Sequence, residues 1–463
     1  MFRRVALMIG AAILMVVSTH ARAQTPAPPA EAEEQKPADA EKQKEDAESM
    51  GLPKKVKWTF NLDAAGGAFG FGNSLYTEVR PDPSGNLGSN WFEGYAKPAI
   101  SGSFALGKSE LYGKFSVVGE RTFATPPTIV GESASSFKQE DMYLGWRSGK
   151  SLGSSENLLD ITVGRTPYTI GHGFLVWDGA GEGGSRGGFW SNARKAWRFA
   201  AVGRLHPGNH KLEVFYLDRD DVPESNTGTR LAGVNYEYAA GEHSTFGVTY
   251  LKTSAYQNVR PDRDGMNVFN ARAYTAPIPE LSDLSFELEY AYEKNGNLMN
   301  STAWTAQGAY QLSKVHWKPK LSYRYAYFAG NDPKTPQNEA FDPLYLGFYD
   351  WGTWWQGEIA GEYFLANSNS ISHEARLHLT PSDSLGWGLI AFWFLIPQPA
   401  SFGPGATSSH AAFELDAYAD WKINKHFTLS LVGAYADPEK AVQQAYDRTQ
   451  SFYYGMAYIA YSF

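Results

Sequence analysis

Residues 451–463 read SFYYGMAYIAYSF. Alternation places Tyr453, Gly455, Ala457, Ile459, Tyr461 and Phe463 on one face and Phe452, Tyr454, Met456, Tyr458, Ala460 and Ser462 on the other, the period-two pattern of a β-strand. Working backwards, residues 426–436 set Phe427, Leu429, Leu431 and Tyr435 against Thr428 and Ser430. Residues 411–423 set Phe413, Leu415 and Trp421 against Glu414, Asp416, Asp420 and Lys422. One lipid-compatible face and one charged face per strand is what the wall of a transmembrane β-barrel requires.

The same alternation extends upstream. Strands are expected near 57–66, 91–105, 110–120, 138–147, 158–166, 195–205, 210–218, 229–238, 244–252, 266–275, 284–292, 302–312, 319–328, 370–380 and 386–396. With the last three they make eighteen. If the last strand ends in the periplasm, every second connection is periplasmic, and all of these come out short, from 106–109 to 424–425. The other set holds the long ones, 67–90, 121–137, 167–194, 253–265, 329–369, 397–410 and 437–450. Short periplasmic turns and long external loops are the habit of outer-membrane barrels. Residues 355–365 also alternate, but as a strand they would swap long and short connections upstream. They are therefore assigned to a loop folded into the lumen. The fold class read here is all-β, an eighteen-stranded antiparallel transmembrane barrel.

Composition supports this and excludes other classes. Of 463 residues, 46 are Gly and 15% are aromatic, which favours strands and turns. A mean hydropathy of -0.39 resembles that of a soluble chain, yet half of each barrel strand faces water. No uninterrupted apolar stretch after the first 20 residues is long enough for a spanning helix. The absence of Cys removes disulfides, Cys-based zinc sites and thiol nucleophiles. A net charge of -8 speaks against a nucleic-acid partner. No metal cluster, cofactor motif or Ser/His nucleophile pair stands out, so an enzyme is not expected.

At the N-terminus Arg3 and Arg4 precede an apolar run from Val5 to Val17, and Ala21-Arg22-Ala23 supplies a cleavage site. Residues 1–23 read as a signal peptide, directing the chain to the bacterial outer membrane. Residues 24–55, rich in Pro, Ala, Glu and Lys without an aromatic residue, read as a disordered periplasmic segment. Residues 56–463 are the barrel.

By alternation the inward bases are Lys114, Arg147, Arg198, Arg204, Lys211, Arg272, Lys320, Arg324, Arg376 and Lys422. The inward acids are Asp141, Asp160, Glu213, Glu237, Glu287, Glu289, Glu374, Glu414, Asp416 and Asp420. Most should pair across strands as scaffold. Arg198, Arg204, Arg272, Arg324 and Arg376 are the candidates for substrate contact, because a guanidinium pairs with a carboxylate through two hydrogen bonds. Residues 329–369 hold Trp351, Trp354, Trp355, Phe341, Tyr345, Phe348 and Tyr349, too aromatic for a loop in water. Trp351 and Trp354 would stack on sugars, with Asp350 and Glu358 hydrogen-bonding hydroxyls, or the segment would simply anchor a plug. The stretch GAGEGGSRGG (179–188) lacks the Lys-Ser/Thr ending of a phosphate loop.

At YFAGNDP (327–333), FDPLYLGFYDWGTWWQGEI (341–359), GEYFLANSN (361–369), FELDAYADWKINKHFTLS (413–430) and DPEKAVQQAYDRTQSFYYGMAYIAYSF (437–463) the chain resembles the alginate-export family of outer-membrane proteins. That resemblance implies an arginine-lined, loop-gated pore passing an anionic exopolysaccharide outward, in company with periplasmic export components. The terminal aromatic strand also resembles the signal read by the outer-membrane assembly machinery. The residues themselves fit a second reading equally, a substrate-selective porin for uptake of small anions or oligosaccharides, since a passive pore has no built-in direction. Expected partners are thus an anionic polysaccharide or small anionic solutes, together with outer-membrane lipid.

Overall fold

A computed structural model describes residues 55–73, 88–124, 126–127, 134–153, 156–177, 179–347 and 356–463. Residues 1–23, most of 24–55, and Asp350, Trp351 and Trp354 lie outside these residues.

Eighteen antiparallel strands each pair with their chain neighbours, and β1 (Lys57–Gly72) pairs with β18 (Phe452–Ser462), closing the sheet. The others are β2 (Ser89–Leu106), β3 (Ser109–Ala124), β4 (Ala134–Arg147), β5 (Leu159–Arg165), β6 (Phe199–Leu205), β7 (His210–Asp218), β8 (Arg230–Ala239) and β9 (Ser244–Ser254). They continue as β10 (Asn267–Thr275), β11 (Leu284–Asn295), β12 (Met299–Gln311), β13 (Lys320–Phe328), β14 (Ser370–Ser382), β15 (Leu385–Leu395), β16 (His410–Lys422) and β17 (Phe427–Pro438). Every expected strand coincides with one of these. Closure leaves no unpaired edge, the condition for backbone to cross a bilayer as β-structure. A short helix, α1 (Lys440–Tyr446), caps β16 and β17.

The outer surface carries Phe92, Phe137, Leu144, Val214, Val248, Phe269, Leu288, Trp304, Leu321, Trp393, Leu431 and Tyr453, all exposed. No water-soluble protein presents so continuous an apolar band. It belongs against lipid, and the protein is a bacterial outer-membrane barrel. The connection 355–365 behaves as read: Gln356 to Leu365 are buried, and 360–364 form a π-helical turn inside the barrel.

Two strand details departed from simple alternation. Phe115 pairs with Met142 while Val117 pairs with Gln139, so Glu140 and Asp141 both oppose Ser116 in a β-bulge and both are buried. Strand β6 begins at Phe199 rather than 195, because the Lys195 and Ala196 amides donate to the inward Glu140 carboxylate instead of joining the ladder.

Candidate functional site

The inner wall has two zones, and the order of residues along each strand makes them. On β7 the inward series runs Lys211, Glu213, Phe215, Leu217 from the short-turn end to the long-loop end; on β8 it runs Glu237, Asn235, Gly233, Leu231. On β13 it runs Lys320, Arg324, Ala326, Phe328 with Ser322 between. On these three strands the periplasmic half of the inner wall is charged and the extracellular half apolar. An apolar wall inside a water-filled pore would be costly, and two loops cover it.

The β5–β6 loop (166–198) and the β13–β14 loop (329–369) fold inward and join as a short parallel ribbon through Val176 and Tyr345. The Trp177 amide donates to the Tyr345 carbonyl (2.9 Å), the Tyr345 amide to Leu175 (3.0 Å) and the Gly347 amide to Gly173 (2.9 Å). Gly347 is needed there, since a Cβ would lie 2.2 Å from Trp177 Cγ. Tyr168, Ile170, Phe174, Leu175, Val176 and Trp197 of one loop and Phe341, Leu344, Tyr345 and Leu346 of the other pack with the wall residues Phe215, Leu217, Leu231, Leu251 and Phe328. On the opposite side Ile359, Tyr363, Phe364 and Leu365 pack with Phe69, Phe71, Trp91, Phe392, Tyr454 and Tyr458.

Wall carboxylates fix these loops by grasping their backbone amides. Glu93 accepts from Trp190 and Ser191 (2.8 Å each), Glu293 from Asp342 (2.9 Å), and Glu414 from Ile359 and Ala360 (2.7 Å each). Gly357 has φ 84, and a Cβ on it would sit 2.6 Å from Glu414 Oε1, so the loop approaches the wall as only Gly permits. Gly183, Gly184, Gly187 and Gly188 of GAGEGGSRGG also have positive φ. They turn the first loop against β3, where the Gly188 amide donates to Thr122 Oγ1 (2.9 Å).

Arginine–carboxylate staples complete the arrangement. Asp220, in the β7–β8 loop, receives Arg165, Arg186 and Arg194. Burial pushes its carboxyl up, but these guanidinium groups outweigh it and hold the acid below the ordinary range. Asp342 receives Arg260 (2.7 Å) and Arg263 Nε (2.7 Å) with the same result. Glu182 has the opposite balance: burial, then the neighbouring Glu120, hold its carboxyl well above the ordinary range, against Arg194.

The charged zone below forms a belt of cross-strand pairs. Lys114 meets Asp141 (3.0 Å), Arg147 lies near Glu110 (3.7 Å) and Asp160 (3.9 Å), Arg204 meets Glu213 (3.1 Å) and Lys211 meets Glu237 (2.8 Å). The register explains this, because Arg147, Asp160, Arg204 and Glu213 stand directly opposite one another along one row. The partners are unequally exposed. Side-chain exposure is 29% for Lys114 against 3% for Asp141, 23% for Arg204 against 3% for Glu213, and 34% for Lys211 against 16% for Glu237. The bases reach into the water path and the acids lie against the wall. Asp63 and Lys97 reverse the order, 37% against 18%.

The five expected arginines occupy different places. Arg204 belongs to the accessible belt. Arg198 is at the long-loop rim, bound through two nitrogens to Asp218 (2.6 and 3.2 Å). Arg272 is wholly buried and reaches Glu237 Oε1 (2.6 Å), Asn235 Oδ1 (2.6 Å), Thr249 Oγ1 (2.9 Å) and Asn270 Oδ1 (3.0 Å). Arg324 is buried against Glu374. Arg376 donates to Tyr418 Oη from Nε (3.0 Å) and Nη2 (2.8 Å). The clamps Glu93, Glu140 and Glu293 were not among the expected inward acids. Glu93 was within a recognised strand and readable from its alternation with Trp91 and Tyr95; the bulge concealed Glu140, and Glu293 fell one residue past the expected end of its strand.

No known family profile matches the chain, and no curated protein matches it. Solved structures do share its fold. OpdQ of Pseudomonas aeruginosa superposes with a TM-score of 0.57 at 9% identity, covering 88% of this chain and 98% of that one. A BenF-like porin from Pseudomonas fluorescens Pf-5 gives 0.56 at 10% identity with the same coverage. The outer membrane protein OprD from Pseudomonas aeruginosa gives 0.54 at 12% identity, covering 88% and 93%. These likenesses correct the alginate-export resemblance, for the neighbours are OprD, Occ and BenF-like proteins. The structure shows why the quoted motifs misled. FELDAYADWKINKHFTLS spans the hairpin of β16 and β17, and part of the aromatic run 341–359 packs an in-folded loop. Alternation and aromatic plugging follow from being a large barrel with a filled lumen, whatever its ancestry.

Proposed function

We propose that the protein is a passive, substrate-selective porin that admits small anionic solutes into the periplasm. The observation that carries this is the unequal exposure within the belt: Lys114, Arg204 and Lys211 face the water path while Asp141, Glu213 and Glu237 are shielded behind them. The numbers of acids and bases nearly balance, yet the field met by a solute is positive on that side, which concentrates and orients carboxylates without trapping them. Two loops stapled across the extracellular half favour compact solutes over a polymer. The fold shared with a BenF-like porin supports the same class, and nothing in this reading calls for a chemical step. Residues 1–23 would serve as the cleaved signal peptide.

Reversal potentials in planar bilayers test this. Under a tenfold KCl gradient the parent should be anion-selective, and Arg204→Gln with Lys211→Gln should move the reversal potential toward the cation side. Cation selectivity in the parent would overturn the proposal.

A further inference from the structure

The outer face of β8–β12 carries a cationic row at the extracellular edge of the apolar band. Lys252 on β9 stands opposite Asn267 on β10, Asn267 opposite Lys294 on β11, and Lys294 opposite Asn300 on β12. All four point outward, because their chain neighbours Leu251, Val268, Glu293 and Met299 are buried on the lumen side. Arg230 lies on β8 two residues closer to the rim than Ala232, the partner of Lys252. Among the described residues neither Lys252 nor Lys294 has a carboxylate within 4 Å, and Arg230 has only Asp218, at 3.7 Å. Of the adjoining loop's carboxylates, Asp262 is paired with Arg260 (3.2 Å), and Asp264 is held by Gln257 (2.7 Å) and the Ala255 amide (3.1 Å), within electrostatic reach of Lys252 but not in contact with it.

The rows beneath fix the depth of this one in the membrane. Tyr250, Phe269 and Tyr292 form the next outward row, with the Tyr250 and Phe269 rings 5.0 Å apart and Tyr250 Oη donating to Asn267 Oδ1 (2.8 Å). Val248, Ala271, Tyr290 and Trp304 follow. Aromatic residues gather where hydrocarbon meets headgroups, so the row above them sits among the headgroups. Adjacent strands are about 4.8 Å apart, which puts the Lys252 and Lys294 backbones roughly 10 Å from each other across β10, a span two lysine stems close around one anionic group.

We infer that Arg230, Lys252, Asn267, Lys294 and Asn300 form a binding site for the phosphate of a phosphorylated glycolipid in the outer leaflet. The two ammonium groups supply charge, the Asn amides supply oriented donors, and the aromatic rows below receive the acyl chains. Charge complementarity selects this occupant, since three cations on a lipid-facing wall with a single carboxylate among the described residues, Asp218, within 4 Å of them are costly, and a lipid phosphate at that depth neutralises them.

The test uses the full chain in detergent micelles and native mass spectrometry, with purified bisphosphorylated lipid A as the probe and its dephosphorylated form as the contrast. Each lysine near a charged surface contributes enough that Lys252→Gln with Lys294→Gln should weaken binding of the phosphorylated lipid about thirtyfold. Dephosphorylated lipid should bind the parent and the variant equally weakly, and millimolar inorganic phosphate should not displace the lipid. Lys57→Gln with Lys150→Gln, at the opposite end of the barrel, should leave binding unchanged, and heat-modified gel mobility verifies that each variant is folded. Equal affinity of parent and double variant, or equal binding of both lipid forms to the parent, overturns the inference. Displacement by inorganic phosphate assigns the row to free anions and overturns the lipid assignment.

Discussion

Gly247 is a position at which a single methyl group should disrupt a buried ion pair. It lies inside β9, opposite Glu237 on one side and Arg272 on the other, and the Arg272 guanidinium crosses over it to reach Glu237 and Asn235. A Cβ at Gly247 would stand 2.5 Å from Arg272 Cζ, 2.6 Å from Nε and 2.7 Å from Nη2, where ordinary contact begins at 3.4 Å. Gly247→Ala therefore displaces the guanidinium by about 1 Å, enough to stretch its two 2.6 Å hydrogen bonds past useful length. Hydrogen bonds to a charged group contribute about 1.5–3 kcal/mol each, and a buried charge that loses its partner costs more. Replacing Gly within a strand returns roughly 0.5–1 kcal/mol, so the net loss should be about 2–5 kcal/mol. Urea unfolding in lipid vesicles, followed by tryptophan fluorescence, measures it. Gly203→Ala, inside β6 with a Cβ that meets nothing within 4 Å, is the control and should show only the backbone gain of roughly 0.5–1 kcal/mol. In an Arg272→Met background the Gly247→Ala cost should largely vanish. A change below about 0.5 kcal/mol, the size of an ordinary surface substitution, or the same cost in both backgrounds, refutes the reasoning.

Glu414→Ala leaves the Ile359 and Ala360 amides without their acceptor, at about 1–3 kcal/mol each; the loop should loosen, seen as larger single-channel conductance and faster proteolysis within 356–366. Burial, with Glu358 and Glu93 nearby, holds the Glu362 carboxyl well above the ordinary range. The folded protein keeps that proton where the unfolded chain has lost it, so this contribution to stability falls as pH rises above the ordinary carboxylate pKa. Unfolding midpoints compared between pH 5 and pH 9 should decline, and Glu362→Gln should flatten the decline; an unchanged slope counts against it. Arg324→Gln removes the guanidinium paired with the buried Glu374, costing about 3–5 kcal/mol while leaving the reversal potential within error, the reverse of what Arg204→Gln with Lys211→Gln should show.

Alternation alone carried the eighteen strands, their order and which loops are long. Each of those follows from local chain geometry: side chains change face every residue, and a strand between lipid and lumen must change polarity with them. The same rule placed Arg204 and Lys211 inside, and their pairing with Glu213 and Glu237 on the neighbouring strands follows from hairpin register. Residues 355–365 were separated from the wall by parity, an argument about the whole chain that a local pattern cannot supply.

Exposure within each pair, by contrast, was decided by the tertiary structure. Arg204, Arg272 and Arg324 read alike along their strands, yet one reaches water and two are buried, because loops distant in sequence cover β10 and β13 and leave β6 partly open at its periplasmic end. Glu140 faces inward only because a bulge opposite Ser116 breaks the alternation. Phe452, Tyr454, Met456 and Tyr458, half of the stretch that decided the fold, line the lumen rather than the lipid, buried under the loops that pack against them. Away from such bulges, alternation fixes which face a side chain takes; what covers that face depends on contacts between segments far apart in the chain, and these set the accessible charge of the lumen.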